Sequence, residues 1–439
     1  MASTNIRPLL LVCDEQGKIY ENPDLLMLVR RGNELALPRP DELMPLPPES
    51  ELFMLPGRRA VGLDEESGQA VELEDLAVAA FAAPAHTISA HPAYHSDPGA
   101  PMLPLFAYGA VGFAEGRFYV CASKVDNDPR QIFTAVSTKK LRKAALDLAR
   151  MYPENDLIQH LVHKCALTYS CPAAKNFCLG RYEAPLPTSR ACNARCIGCI
   201  SQQDPDSPIC ATPQNRLTFT PSVEDVVEVM RHHGSIAVKP IYSFGQGCEG
   251  EPLTQAPLLE EAIRRFRAEG GRGTINLNSN ASMPIAVDRL CRAGLSSLRV
   301  SLNSARDIVY NAYYRPINYG FEQVWQSIKV AKAHKKFVSL NLLFFPGFTD
   351  TERETEALIE LVKGSKLDFI QLRNLNIDPE FYLDLMQGIE TGPCIGLKNF
   401  KKRLKKAAPW LNFGYFNPYV DDGPQKDQTI PTFLPPNLG

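Results

Sequence analysis

The chain has 439 residues, of which 44% are hydrophobic and 22% charged, and its net charge is -2 at pH 7. This length favours two or three domains. The net charge argues neither for nor against a polyanionic partner at the level of the whole chain, so a nucleic-acid site needs a local basic patch. No stretch approaches the ~18 apolar residues of a membrane span, and the apolar run at 9–13 is too short for a signal peptide. We therefore expect a cytoplasmic protein without a membrane partner.

The first 135 residues predict a small β-rich domain. Short apolar or alternating runs, separated by proline and turn residues, are typical of strands, and residues 107–122 predict a hairpin around the turn AEGR. Residues 136–182 predict a helical connector that carries cysteines, because apolar residues recur at helical spacing in its first part and Pro153 then interrupts the pattern.

From residue 183 to residue 375, strand-like runs alternate with amphipathic helices. The predicted strands are 183–189, 236–243, 274–279, 297–303, 337–345 and 367–373. The predicted helices between them are 221–233, with Thr220 as N-cap, 257–268, 284–293, 320–334 and 351–363, the last with a capping box at Thr351 and Glu354. Parallel neighbours need crossover helices, so we predict an α/β fold with a partial (β/α)6 TIM-like barrel, followed by a C-terminal helical extension and extended tail at 376–439.

The stretch RACNARCIGCIS, residues 190–201, follows the first predicted strand and contains Cys192, Cys196 and Cys199. In a barrel of this kind, the loops after the strands carry the chemistry. Three thiolates at this spacing can ligate three irons of a cubane cluster and leave the fourth iron open. The alternative is a zinc site with Cys210 as the fourth ligand, which does not explain the position of the loop.

A CxxxCxxC motif after the first strand of a partial barrel resembles the radical S-adenosylmethionine (radical SAM) superfamily, and the resemblance covers roughly residues 183–375. It implies a 4Fe-4S cluster on Cys192, Cys196 and Cys199, with the amino and carboxylate groups of S-adenosylmethionine (SAM) on the fourth iron. It further implies reductive cleavage of SAM to a 5′-deoxyadenosyl radical that abstracts hydrogen from a substrate. A low-potential electron donor such as a ferredoxin or flavodoxin is the implied partner.

The loop SFGQGCEGEPL at 243–253 resembles the GGEP-like motif of the same superfamily, although Glu249 stands where the first glycine is expected. The resemblance implies that Gly250 and Glu251 hold the ammonium group of the methionine moiety. Glycine permits a close backbone approach, and the glutamate supplies a carboxylate for a cation.

Three further strand ends carry candidate residues. Ser301 and Asn303 lie on one face of the fourth predicted strand and resemble family residues that bind the ribose and carboxylate of SAM. Phe345 and Gly347, in FPGFTD, resemble a turn that packs against the adenine. Alternating asparagines on the third strand, at 276–280, predict a polar row inside the barrel that serves either a ligand or a structural network.

Cys165, Cys171 and Cys178 precede the barrel and are candidates for a second iron–sulfur cluster. Their spacing is irregular, and unpaired structural cysteines are the alternative. A strand of seven residues spans about 23 Å, so Cys178 is expected near the amino-terminal end of the barrel, away from the SAM site.

The substrate is open at this stage. A peptide or protein would suit the N-terminal domain as a docking module, and RNA would suit the basic amphipathic helix predicted at 397–411. A function of another class, a zinc-binding regulatory or scaffold protein on a degenerate barrel, is the alternative to an enzyme.

Overall fold

The computed structural model describes residues 6–209 and 212–420. Within its first 124 residues the regular elements are strands, which lie at the following positions. They are β1 Leu9–Cys13, β2 Ile19–Met27, β3 Val29–Arg31, β4 Glu34–Ala36, β5 Leu43–Pro45, β6 Glu51–Asp64, β7 Ala70–Phe81, β8 His86–Ile88, β9 His91–Pro92, β10 Tyr94–Ser96, β11 Gly109–Ala114 and β12 Arg117–Lys124.

These strands pair antiparallel in the order β10-β6-β2-β1-β7-β11-β12-β5, with β8 beside β12. Since β6 pairs with β2 and β7, and β1 pairs with the same two strands, the four strands form a closed ring. Strands β3, β4 and β9 make a separate small sheet. The predicted β-rich region is confirmed, and β11 with β12 is the predicted hairpin.

The connector consists of α1 Thr138–Met151, α2 Asp156–His160, one π-helical turn Leu161–Ala166 and α3 Pro172–Cys178. Ser137 caps α1 by accepting a hydrogen bond from the amide of Lys140 at 3.2 Å, and Asn155 caps α2 in the same way. The break between α1 and α2 falls at Pro153, as predicted. The π-helical turn, a form found mostly at functional sites, carries Cys165.

The remaining elements form the barrel and its extension. They are β13 Glu183–Pro185, α4 Val223–Ile236, β14 Ile241–Phe244, a 3-10 turn Pro252–Gln255, α5 Ala256–Ala268, β15 Thr274–Ser279, α6 Pro284–Ala293, β16 Ser297–Leu302, α7 Asp307–Tyr314, α8 Phe321–Ala333, β17 Phe337–Phe344, α9 Glu352–Ser365, β18 Phe369–Asn374, α10 Pro379–Leu385, α11 Leu397–Ala407 and β19 Asn412–Gly414.

The seven strands β13 to β19 are parallel and pair in chain order, so the predicted partial barrel is confirmed. It has one strand more than predicted, because β19 adds to the outer edge of β18. The first strand is shorter than the predicted 183–189, since Pro185 and Pro187 cannot donate hydrogen bonds to a neighbouring strand. Helices α7 and α10 were not predicted. The domain boundaries at 135, 182 and 375 stay predictions.

Side chains alternate along the barrel strands. In β16, Leu298, Val300 and Leu302 are fully buried in the hydrophobic layer shared with the outer helices. Ser297, Arg299 and Ser301 have the opposite orientation and point into the barrel. The interior is therefore polar, which prepares it for a polar ligand and not for a second hydrophobic core.

One predicted helix start and one predicted capping box are wrong. Helix α4 is capped by Ser222, in a capping box with Asp225, and not by Thr220. Thr351 is the N-cap of α9 but its side chain makes no cap hydrogen bond. Glu354 leaves the predicted box because its buried carboxylate instead accepts hydrogen bonds from Ser304 and Arg306.

The N-terminal strands are fastened to the carboxyl-terminal rim of the barrel. The hydroxyl of Thr87 donates to the carbonyl of Leu372 at 2.8 Å, and the amide of Ile88 donates to Asn374 at 2.9 Å. Arg58 and Asp378 form an ion pair at 2.8 Å whose side chains are 4% and 2% exposed. Breaking a buried pair from one side is costly, so this contact is fixed. Among the described residues, none of the helices is both long and apolar enough to cross a membrane.

Candidate active site

The loop with Cys192, Cys196 and Cys199 follows β13 and rests on helix α7. The amide of Ile197 donates to the carbonyl of Tyr313 at 3.1 Å. A Cβ at Gly198 would overlap the hydroxyl of the same tyrosine, so glycine is required for this close approach. Helix α7 therefore packs against the cysteine loop and supports it, a role that the sequence did not reveal.

The three thiols are half-buried. Burial and the neighbouring Glu251 carboxylate raise the pKa of Cys192 to about 11, and burial with the charges of Cys192 and Cys199 raises the pKa of Cys196 well above its usual value. Such thiols become thiolates when a metal offsets the charge. Among the described residues they are not a group whose ligand atoms all lie within 4.8 Å of one another. At least one pair of these sulfurs is therefore more than 4.8 Å apart, wider than two ligands of a single ion and compatible with a cluster of several irons.

Arg216 contacts this loop and was missed by sequence reasoning. Its guanidinium donates to the sulfur of Cys199 at 3.4 Å and to the hydroxyl of Ser201 at 3.2 Å. A cation beside a ligand sulfur stabilises negative charge there. Cys210, the fourth ligand of the zinc alternative, lies outside the described residues.

Gly250 lies against the backbone that leads into the cysteine loop. Its amide donates to the carbonyl of Ser189, and the next amide, of Glu251, donates to the carbonyl of Ala191, both at 2.8 Å. A Cβ at Gly250 would overlap that carbonyl of Ala191. Glycine at this position thus permits the loop after β14 to pack directly on the residue before Cys192.

Glu249, which replaces the expected first glycine, ties two loops together. One carboxylate oxygen accepts the amides of Gly245 and Gln246 at 2.7 and 2.9 Å, and the other accepts those of Thr188 and Ser189 at 2.7 and 2.9 Å. Burial raises the pKa of Glu249 to about 7, although these amides act in the opposite direction. All its acceptor positions are used, so Glu249 is structural and holds no ligand.

Glu251 has the same burial but a free acceptor position. Its Oε1 accepts from Leu253 at 3.0 Å and Ser279 at 2.6 Å, whereas Oε2, within the described part of the chain, accepts only the amide of Asn280 at 2.8 Å. A carboxylate offers about four acceptor positions. Burial raises the pKa of Glu251 to about 7. One position on Oε2 is thus available to a cationic group beside Cys192.

Ser301 and Asn303 lie at and just beyond the end of β16. Ser301 is half-buried on the inner face of the strand. Asn303 is fully buried, and its amide group donates weakly to the carbonyl of Val309 and the hydroxyl of Tyr382, at 3.3 and 3.4 Å. Its Oδ1 atom is buried without a hydrogen-bond partner, an arrangement that a ligand donor would satisfy.

Phe345 and Gly347 are occupied by contacts to the N-terminal strands. Phe345 is fully buried, with its ring centroid 4.7 Å from that of His91 and 4.6 Å from that of Tyr382. Gly347 has a φ of 77° and lies so close to the backbone of Gly32 that a Cβ would overlap it. Their adenine-binding role stays a prediction.

A branched network of hydrogen-bonded polar side chains crosses the interior of the barrel. Asn276 lies at its centre and contacts Ser243, Asn278 and Ser297. Ser243 in turn donates to Glu183, which also accepts from Asn417. The asparagine row at 276–280 is therefore largely a structural network, the second of the two predicted alternatives.

On the side of the interior formed by β16, β17 and β18, polar groups lack partners. Asn341 Oδ1, Gln371 Oε1 and Arg299 Nε are buried without hydrogen-bond partners among the described residues. Burial, together with the charge of Arg373, lowers the pKa of Arg299 to about 9. Glu183 offsets this charge in part, but forms no ion pair with Arg299 in the described part of the chain. Both guanidinium groups are half-buried, and Arg373 donates to the carbonyl of Tyr415 at 3.2 Å and lies over its ring at 3.9 Å. Two neighbouring cations on this side of the interior favour an anionic group of a ligand.

Among the described residues, the three connector cysteines are not a group whose ligand atoms all lie within 4.8 Å of one another. Cys165 lies with His160 and Cys248, and the ligand atoms of these three residues are all within 4.8 Å of one another. Cys165 thus lies near the loop that carries Glu249 and Gly250, because Cys248 belongs to that loop. The expected position of Cys178 near the amino-terminal end of the barrel stays a prediction. Cys171 and Cys178 are outside this group.

The basic helix α11 packs Leu397, Phe400 and Leu404 inward. Part of its charge is paired, since Arg403 reaches Glu352 and Glu356, and Lys398 reaches Asp41. The basic face of this predicted helix is thereby partly neutralised.

Comparisons with known proteins agree with this geometry. Residues 186–359 match the Radical SAM superfamily. A GTP 3′,8-cyclase of Marinobacter nauticus is 25% identical over 189 residues, which are 42% of this chain and 51% of the relative. The chain thus spans about half the length of this curated relative.

Solved structures with similarity include HydG, a maturase of the FeFe-hydrogenase, at 14% identity and a TM-score of 0.37, covering 63% of this chain and 67% of HydG. Another is SuiB of Streptococcus suis bound to S-adenosylmethionine, at 12% identity and a TM-score of 0.36, covering 67% and 68%. These scores are too low to carry an argument about activity. The family match and the parallel barrel with its cysteine loop together show that the chain contains a radical SAM domain at residues 186–359.

Proposed function

We propose that the protein is an enzyme that cleaves SAM reductively and uses the resulting radical to abstract hydrogen from a substrate. The observation that carries this proposal is the packing of Gly250 on Ala191, which brings the free acceptor position of Glu251 next to Cys192. A thiolate-held cluster and a carboxylate for the methionine ammonium are the two groups that SAM requires at one place.

Each residue has a distinct role in this proposal. Cys192, Cys196 and Cys199 hold the 4Fe-4S cluster, while Gly250 and Glu251 bind the methionine end of SAM. Ser301 and Asn303 face the ribose and carboxylate, with Phe345 and Gly347 supporting the adenine side from behind. When bound and reduced, the cluster supplies the electron that splits SAM into methionine and the 5′-deoxyadenosyl radical. The polar barrel wall then orients one substrate C–H bond.

The experiment is an anaerobic assay of the full chain. Reconstituted protein with about four irons per chain, dithionite and SAM is expected to form 5′-deoxyadenosine, detected by mass spectrometry. Cys196→Ala is expected to lose both iron and product, whereas Cys13→Ala, a buried cysteine of β1, retains both. Protein with iron but no product under these conditions contradicts the proposal, and a colourless protein with one zinc in the cysteine loop favours the regulatory alternative.

For the substrate we propose a small molecule with an anionic group. The neighbouring cations Arg299 and Arg373 support this choice. The unpartnered oxygens of Asn341 and Gln371 would accept hydrogen bonds from donor groups of the same molecule. RNA bound by α11 and peptide docking on the N-terminal strands have less support, because α11 is partly neutralised by acidic residues. Candidate carboxylates and phosphates, deuterated at C–H positions, are tested for label transfer to 5′-deoxyadenosine. Arg373→Met is expected to reduce label transfer from these molecules at least tenfold. Arg292→Met, on the exposed face of α6, is the control.

The electron donor that we propose is a small reductant such as a ferredoxin or flavodoxin. A cleft of about 470 Å³ beside Cys196, lined by Arg195, Gln203, Arg315 and Phe381, supports access to the cluster from this side. A second cluster on Cys165, Cys171 and Cys178 stays a prediction. An iron content near eight per chain, reduced to four by Cys178→Ser, would support it.

A further inference from the structure

The side chains of His160, Cys165 and Cys248 meet where the connector touches the barrel. Cys165 and Cys248 are buried free thiols, 3% and 5% exposed, and the ligand atoms of the three residues lie within 4.8 Å of one another. His160 ends α2, Cys165 lies in the π-helical turn, and Cys248 lies in the loop after β14. Three metal-ligating side chains thus converge from two segments separated by more than eighty residues.

The spacing of these atoms indicates what they can bind. Two sulfurs on one tetrahedral zinc ion are about 3.8 Å apart, since each Zn–S bond is about 2.3 Å. In a cubane cluster, cysteine sulfurs on different irons point outward from separate corners and lie farther apart. A group within 4.8 Å therefore matches a single ion, and the wider group at Cys192, Cys196 and Cys199 does not.

The state of His160 supports the same conclusion. Its Nε2 atom is buried and has no well-aligned hydrogen bond among the described residues, although the side chain interacts with the thiol of Cys248, and its ring makes an edge contact with Phe219 at 5.6 Å between centroids. An imidazole nitrogen left unpaired in a protein interior is destabilising, and a metal ion beside two thiols would use it. The donor set of two sulfurs and one nitrogen is typical of zinc.

We propose that His160, Cys165 and Cys248 bind one zinc ion that joins the connector to the loop after β14. The site is distinct from the iron–sulfur centre on Cys192, Cys196 and Cys199 and does not depend on the proposed reaction. It assigns Cys165 to zinc, so it excludes the predicted second cluster on Cys165, Cys171 and Cys178. Cys248 directly precedes Glu249, so the ion fixes the loop that carries Gly250 and Glu251. The fourth position is open to Cys171, whose amide donates to the carbonyl of Cys165 at 2.8 Å.

The test is the metal content of the full chain, purified anaerobically without added metal. Plasma mass spectrometry is expected to find about one zinc per chain in addition to iron. X-ray absorption at the zinc edge is expected to give sulfur neighbours at about 2.3 Å and a nitrogen at about 2.0 Å. This measurement needs no variant, so a folding defect cannot obscure it.

Variants then assign the ligands. His160→Gln, Cys165→Ser and Cys248→Ser are expected to lose zinc and keep the iron, whereas Cys13→Ser keeps both. Loss of zinc in Cys171→Ser adds that thiol to the site, and unchanged zinc leaves the three-ligand site standing. Iron instead of zinc at this position, a Cys165–Cys248 disulfide, or no metal at all would overturn the proposal. Because zinc binding is measured apart from 5′-deoxyadenosine formation, either proposal can fail without the other.

Discussion

The two thiol groups of this protein differ in how the chain assembles them. Cys192, Cys196 and Cys199 come from eight consecutive residues, remain half-buried and spread apart. Cys165 and Cys248 come from distant segments, are buried and lie close together with His160. A short loop can present three ligands toward an open cavity, where a small molecule can reach the metal. Ligands from two separate segments instead hold those segments together. Cysteine is thus suited to catalysis in the loop at 192–199 and to structural support at Cys165 and Cys248.

The largest effect is expected from removing the loop cysteines. Cys192→Ala, Cys196→Ala or Cys199→Ala should abolish 5′-deoxyadenosine formation, because each removes one of three cluster ligands. Iron content should fall to background while the zinc content stays unchanged. Iron and zinc lost together in all three variants would show that the two groups are not independent.

Gly250→Ala tests separately the SAM site and the proposed zinc site, which share the loop after β14. The added Cβ overlaps the carbonyl of Ala191 and pushes the loop away from Cys192, so we expect at least a hundredfold loss of SAM cleavage, comparable to a small misplacement at a reacting centre. Zinc at Cys248 should remain. Gly320→Ala, where a Cβ meets only Gln323 at 3.6 Å, is the control, and equal losses in both variants would contradict this explanation.

Glu249→Gln tests the tie between the two loops through pH. The pKa of Glu249 is raised from 4.5 to about 7 in the folded protein, so the folded state binds its proton more tightly than the unfolded chain. That contribution to stability is complete below pH 4.5 and is lost as the pH rises through about 7.

The free energy of unfolding of the wild type should therefore fall between these pH values more steeply than that of Glu249→Gln. The variant should also be less stable by about 2–4 kcal/mol, because its amide group faces backbone donors. Denaturant unfolding at several pH values measures both effects. Parallel pH profiles would exclude Glu249 as the titrating group.

The smallest effect is expected at Arg216. Its guanidinium stabilises negative charge on Cys199, so Arg216→Met should lower the reduction potential of the cluster and slow SAM cleavage several-fold. A redox titration followed by electron paramagnetic resonance measures the shift, and Arg216→Lys should restore part of it. Zinc binding should not change. A potential unaffected by Arg216→Met would remove this residue from the site.

The sequence predicted the parts of the site that depend on local order. The cysteine spacing, the position of the loop after the first strand and the order of six parallel strands follow from residues close together in the chain. The grouping of His160, Cys165 and Cys248 did not, because it depends on how the connector packs against the barrel. The same holds for Glu354, which a local capping pattern assigned to Thr351 and which tertiary contacts bind to Ser304 and Arg306. The signal available in the sequence for this group was the position of Cys248 within the loop at 243–253.

The buried ion pair between Arg58 and Asp378 has a consequence for how large molecules can enter. Together with Thr87 and Ile88 at the ends of β18, it makes the N-terminal strands a rigid wall on one flank of the barrel mouth. Strands held by these contacts do not open as a hinged lid does. The size of a molecule, and not a lid movement, therefore decides whether it can enter the barrel. We therefore expect substrates to enter the barrel past another flank, and a bulky polymer to reach the interior only with a protruding end.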